Sequence, residues 1–256
     1  MVKTFVLFVD DDTEADDALD TTIYENRDPL SCDHLALHLP KCKGCSGCDM
    51  GKTLKSNSRR RKRPKVFVSP PDATTQPFGA MVHLDTIAME PNSEASQAAR
   101  YCLNVHDERT SFRMAFPSHK RDAGSVVDAM HRFDDDCKVI RHRWTDAAHE
   151  FISATGRIRA QRPLAHYMSA PYRPQASGRA ERSNRLMIEG TRCFLLQAAF
   201  GERWWPLAIK LWCMNYNALH QGPDGFTPWQ RRFGMGYEFK AYRFGAFALY
   251  THPKKL

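Results

Sequence analysis

Three acids and one cluster of soft ligands carry the recognisable chemistry of this 256-residue chain. Asp85 lies inside Ala80-Met-Val-His-Leu-Asp-Thr-Ile-Ala-Met89, an apolar strand candidate in which a carboxylate is out of place unless something pairs with it. Asp146 follows the short apolar run Val139-Ile140, and Glu181 comes 35 positions later (181 − 146 = 35). An acid at a strand centre, one at a strand end and one on a following helix can converge. Three carboxylates held together repel, and divalent metal is the usual remedy. Upstream, His34 and His38 are four apart, which places both imidazoles on one helical face. Cys45-Ser-Gly-Cys48 is the tight thiolate turn that tetrahedral zinc favours. Together these make a His2Cys2 site, with Cys32 and Cys42 as rival ligands.

The elements that must position these groups follow from pattern. Pro171 to Arg185 reads Pro-Tyr-Arg-Pro-Gln-Ala-Ser-Gly-Arg-Ala-Glu-Arg-Ser-Asn-Arg. Its prolines and Gly178 keep the first half out of a helix, and Ser177 is a candidate N-cap for the helix that carries Glu181 in its first turn. Along that helix Glu181, Arg185, Glu189 and Arg192 form a charged face, and Leu186, Gly190, Cys193 and Phe194 fall on another side. The plain alternative pairs Glu181 with Arg185 as a surface contact worth roughly 0.2–0.5 kcal/mol. Strands are expected at Met81–Met89, Tyr101–His106 and Phe112–Phe116, a helix at Ala123–Phe133, and a strand at Lys138–His142 that ends near Asp146. Helical stretches are expected at Ala147–Ile152 and from Trp204 to about Leu219, and the alternation of Phe247 and Leu249 reads as a strand. Hairpin strands followed by alternating helices and strands fit a mixed sheet covered by helices. Asp107 is expected to be a structural turn residue, and Asp134, Asp135 and Asp136 a solvated turn.

Composition narrows the partners. A net charge of +8 and a pI near 9.1 call for an anionic one. No apolar run is long enough to span a bilayer, and Met1–Val9 is too short for a signal peptide and is followed by acids. The chain is therefore read as intracellular, where eight cysteines point to metal rather than to disulfides. Residues 1–31 are expected to be an acidic, disordered N-terminal segment, and 32–51 a zinc-binding module with little core of its own. Residues 52–78 read as an extended basic linker containing Ser58-Arg-Arg-Arg-Lys-Arg-Pro-Lys65, suited to phosphate contact or nuclear import.

The Pro171–Arg185 stretch, together with the spacing of the acids, closely resembles the catalytic core of integrases from copia-type retrotransposons, part of the Asp-Asp-Glu group of transposases and retroviral integrases. The likeness runs from about Cys32 to about Tyr250. It implies an α/β, ribonuclease-H-like fold with a mixed sheet flanked by helices, preceded by a small His2Cys2 module with structural Zn²⁺. The separation of six residues between His38 and Cys45 is shorter than is usual in retroviral relatives. The resemblance also implies a catalytic core over 79–222, the start of a truncated C-terminal extension over 223–256, and origin in a longer Pol polyprotein. Asp85, Asp146 and Glu181 would hold two Mg²⁺ or Mn²⁺ ions for 3′-end processing and strand transfer. Tyr172, Arg173, Arg179, Arg182, Asn184 and Arg185 are candidates to hold DNA, whether element ends or target duplex. A homo-multimer, nuclear at the time of integration, is implied as well. Spacing alone would equally allow a metal-dependent nuclease of the same fold, and the alanines after Asp146 leave open a catalytically degenerate, nucleic-acid-binding relic.

Overall fold

The computed structural model describes residues 29–52, 78–89, 99–134, 140–168, 178–238 and 242–246. The acidic N-terminal run, most of the basic linker, Ser177, Tyr172, Arg173, Asp135, Asp136, Phe247 and Leu249 lie outside the described residues, as does the side chain of Arg179.

Two short helices come first, α1 (Cys32–Leu37) and α2 (Ser46–Gly51). Three antiparallel strands follow: β1 (Val82–Ala88), β2 (Tyr101–Asp107) and β3 (Arg113–Ser118). Then come α3 (Ala123–Phe133), β4 (His142–Thr145), α4 (His149–Arg159) and β5 (Ala165–Met168), with β4 parallel to both β1 and β5. The sheet order is β3-β2-β1-β4-β5, and the chain continues into α5 (Gly178–Gln197), α6 (Trp205–Leu219) and α7 (Pro228–Phe233). The expected mixed sheet flanked by helices is what forms.

Period-two alternation sorts the strand residues between two helical layers. Val82 and Leu84 of β1 and Leu103 and Val105 of β2 face α3 and α4, where they join Val126, Met130, Phe133, Phe151 and Ile158. Ile87 and Cys102 point the other way, into Met187, Ile188, Trp205 and Trp212 of α5 and α6. The two sides of the sheet are therefore separate apolar cores, and a charged residue inside β1 must meet one of them.

Local chemistry sets several helix ends. Asp122 Oδ1 accepts the Ser125 amide at the start of α3, and Thr227 and Gln230 close a reciprocal capping box around α7, with Pro228 at its first turn. Asp107 is structural, as expected. Its two oxygens accept from the Gly79 and Thr110 amides and the Thr110 hydroxyl, tying the β2–β3 turn to the entry of β1. The expectation for Asp134 is overturned: rather than standing in a solvated turn, it is largely buried, ion-paired with Arg162, and accepts the Ile140 amide. β4 lies at His142–Thr145; residues 138 and 139 of the expected strand Lys138–His142 lie outside the described residues.

Helices α5 and α6 pack closely where α5 has no side chain. A Cβ at Gly190 would lie 2.0 Å from Nε1 and 2.2 Å from Cε2 of Trp212, a fully buried ring whose indole N–H donates to the Leu37 carbonyl. Helix propensity alone favours alanine over glycine by about 1 kcal/mol. The clash outweighs it, because the ring is held on all sides. Gly190→Ala is expected to cost about 1–3 kcal/mol net, read as a lower urea midpoint at unchanged slope.

Candidate functional site

The strand pairing brings two of the three acids together. Val82 pairs with Arg143 and His83 with Trp144, an offset of 61 (143 − 82). Continued along the strands, that offset sets Asp146 opposite Asp85 (85 + 61 = 146) on strands about 4.8 Å apart. Asp85 shares its face with Ile87, the face that α5 covers, and Glu181 stands in the first turn of α5. The three carboxyls form one electrostatic site. Burial first, then Asp146, and to a smaller extent Glu181, push the Asp85 carboxyl up to about 6, against hydrogen bonds that favour its charge. Those bonds come from the Thr86 amide to Oδ1, 2.8 Å, and from the Asn184 side chain to Oδ2, 2.7 Å. Asp146 is exposed and Glu181 half-buried, so the cluster opens to solvent.

Asn184 is thus placed beside the acids, one turn after Glu181, with its amide nitrogen on Asp85. It is oriented in turn by Asn104, the residue directly across from Asp85 on β2, which donates to Asn184 Oδ1 at 2.8 Å and to Ser183 Oγ at 2.9 Å. Sequence reasoning misses Asn104, because only cross-strand register reveals it. It misses Arg121 as well. That residue is ion-paired with Glu150 of α4, and the carboxyls of Glu150, Asp146 and Asp85 together hold its guanidinium up, which puts one cation within the field of the cluster. Arg185 pairs with Glu189 at 2.9 Å, and Arg182 is exposed.

A second centre lies in the N-terminal helices. His34, His38, Cys45 and Cys48 are all buried, and their ligand atoms all lie within 4.8 Å of one another. Cys45 Sγ is 3.5 Å from His38 Nδ1, and Cys48 Sγ is 3.5 Å from His34 Nε2 and 3.6 Å from His38 Nδ1. A tetrahedron with Zn–S of about 2.3 Å and Zn–N of about 2.05 Å has S···N edges of roughly 3.6 Å. The donor set fits that ion in both chemistry and size. Cys32 is exposed and Cys42, though buried nearby, does not belong to the quartet. The common helical face expected for the two histidines does not form: α1 ends at Leu37, and His38 is its left-handed C-cap, with φ 55° and ψ 26°. Cys193 of α5 is the strongest electrostatic influence on the Cys48 thiol. That influence, with the contacts from His34 and His38, holds the Cys48 thiol far below its ordinary range and raises Cys193.

Among the described residues, this quartet is the one group of three or more such ligands close enough to share one ion. The carboxyls of Asp85, Asp146 and Glu181 do not lie that close together as a trio.

No protein-family model matches the chain, and no curated protein matches it with significance in sequence. Solved structures do match. The HTLV-2 integrase catalytic core domain, in its trimeric form in complex with magnesium, superposes with a TM-score of 0.50 at 16% identity, covering 62% of this chain and 98% of that one. The fold is that of a retroviral integrase catalytic core. The dimeric form of the same HTLV-2 domain with magnesium gives 0.49 at 13% identity over 63% and 99% of the two chains. The BIV integrase catalytic core domain gives 0.47 at 14% over 61% and 95%. On the integrase-core fold of this chain, the acids occupy the centre of β1, the end of β4 and the start of α5. No helix among the described residues is long and apolar enough to cross a membrane.

Proposed function

We propose that the chain is a retrotransposon integrase of the copia type, a polynucleotidyl transferase that trims element DNA ends and joins them to target DNA. The observation that carries the reading is the raised carboxyl of Asp85, buried against Asp146 and Glu181 on an integrase-core fold. A charge cluster that costs free energy by itself is what a divalent-cation site looks like without its cations.

Asp85, Asp146 and Glu181 would hold two Mg²⁺ or Mn²⁺ ions; magnesium in the HTLV-2 core domain supports that choice of ion. When bound, the ions supply an activated oxygen nucleophile and stabilise charge on the phosphoryl group and the departing oxygen. The chain's own residues do the positioning. Asn184 fixes the plane of the Asp85 carboxylate through Oδ2, and Asn104 fixes Asn184. Arg182 and Arg185 hold the phosphate backbone beside the acids without reading its sequence, and Tyr172, Arg173 and Arg179 are further DNA-binding candidates from the sequence. His34, His38, Cys45 and Cys48 hold a structural Zn²⁺. The basic run in Ser58–Lys65 suits nuclear entry, and the trimeric form of the HTLV-2 domain supports a multimer that joins two DNA ends at once.

The test is a strand-transfer assay on paired DNA ends with Mg²⁺ or Mn²⁺. The parent is expected to join ends, and Glu181→Gln to lose joining while keeping duplex binding that weakens roughly tenfold or more between 50 and 200 mM salt. Cutting without joining by the parent would assign a nuclease instead. Salt-sensitive binding with no turnover under either metal would leave a degenerate binding module.

A further inference from the structure

The metal quartet is not closed by its own two helices. His38 turns Nδ1 toward Cys45 and Cys48, and its other ring nitrogen, Nε2, lies 2.6 Å from Oε1 of Gln197, the last residue of α5. With Nδ1 directed at a metal, the ring proton must sit on Nε2, and an amide oxygen is the acceptor it needs. One turn earlier on α5, Cys193 lies against α2. This approach depends on two glycines a turn apart on α2. A Cβ at Gly51 would lie 2.8 Å from Cys193 Sγ and 2.9 Å from its backbone nitrogen, and one at Gly47 would lie 2.9 Å from His38 Cε1 and 3.2 Å from the Cys193 carbonyl. From the other side Lys52 Nζ donates to the His38 carbonyl at 2.6 Å.

We infer that Gln197 is a positioning residue of the metal site, fixing the tautomer and ring plane of His38 from the same core helix that carries Glu181. The inference rests on the reading of the quartet as a zinc site. Ligands come from residues 34–48, and the group that orients one of them comes from 159 positions away (197 − 38). A glutamine that merely filled space there would leave metal affinity untouched. One that holds the imidazole sets that affinity, because a misoriented or wrongly protonated ring binds zinc poorly.

The experiment measures zinc content and affinity of the full chain by competition with a chromogenic chelator, for the parent, Gln197→Ala and Gln197→Glu. One zinc per parent chain is expected, with an affinity loss of about 10–100-fold in Gln197→Ala and recovery in Gln197→Glu, whose carboxylate accepts the same proton. Should the alanine chain fail to fold, Gln197→Met keeps the volume, removes the acceptor and is expected to show the same loss. Affinity within about twofold of the parent in the acceptor-free variant, or a glutamate variant as weak as the alanine one, overturns the inference while the zinc site stands. A parent without stoichiometric zinc overturns the zinc reading and the inference with it.

Discussion

Asp85→Asn is expected to give a protein that no longer joins DNA ends, yet resists denaturant better than the parent when divalent metal is withheld. Loss of strand transfer should be on the order of a hundredfold or more, since a carboxylate expected to hold the ions loses its charge. The gain in stability follows from the same carboxyl. Its pKa rises from 3.8 to about 6 on folding, chiefly through burial and Asp146. An acid shifted upward adds stability below 3.8 and loses it as pH rises through about 6, because the folded state binds the proton more tightly than the unfolded one. A rise of that size corresponds to roughly 3 kcal/mol that the parent has given up by pH 7.5. Asparagine stays neutral and still offers an oxygen to Asn184. Urea unfolding of parent and variant in chelator, at pH 7.5 and near pH 4, should show a gap that is largest at the higher pH and closes at the lower. Added Mg²⁺ should narrow it by stabilising only the parent. A variant no more stable than the parent at pH 7.5 would mean that the acids do not strain one another.

Arg143→Met is expected to stabilise the fold, although it deletes a fully buried residue of a central strand. Arg143 faces Met130 and Phe151 in the core under α3 and α4. It donates to the Met130 sulfur at 3.1 Å and to the Phe151 carbonyl, and its Nε has no hydrogen-bond partner among the described residues. Burial and the repulsion of Arg159 lower its pKa to about 10, and among the described residues no carboxylate acts in the other direction. Even a paired buried charge can be replaced by an apolar residue of similar volume with a gain of about 1–4 kcal/mol, and this one has no ion-pair partner among the described residues. The Phe151 carbonyl keeps a donor in Thr155 Oγ1, at 2.7 Å. Thermal unfolding should therefore move upward by roughly 2–4 °C for each kcal/mol gained. A fall in Tm would show that the guanidinium is better solvated by its neighbours than its contacts indicate.

Where local chemistry decides an element, the amino-acid order is enough to find it. The helix at Ala123–Phe133 forms over the expected residues because Asp122 caps it and its apolar positions recur at helical spacing. The first two strands fall within a residue or so of expectation. Ile140 is buried, but its amide goes to Asp134, and the pairing of β4 with β1 begins only later. β5 gives no sign of itself in the sequence, since four residues ending in exposed Tyr167 and Met168 show no alternation and owe their place to β4. The same division holds for the site. Carboxylates, imidazoles and thiols announce themselves by type and spacing, whereas Asn104, Arg121 and Gln197 are ordinary polar residues until the fold places them.

The side chain of Asn215 on α6 adds a last point. Its amide nitrogen donates to the carbonyl of Ala36 in the first helix and, at 2.9 Å, to that of Tyr242 near the other end of the described chain. Both of its hydrogens are thereby used on segments 206 positions apart (242 − 36). The two outermost described stretches are thus both held to α6 through one amide nitrogen, which gives the first helix and the segment after α7 a common anchor.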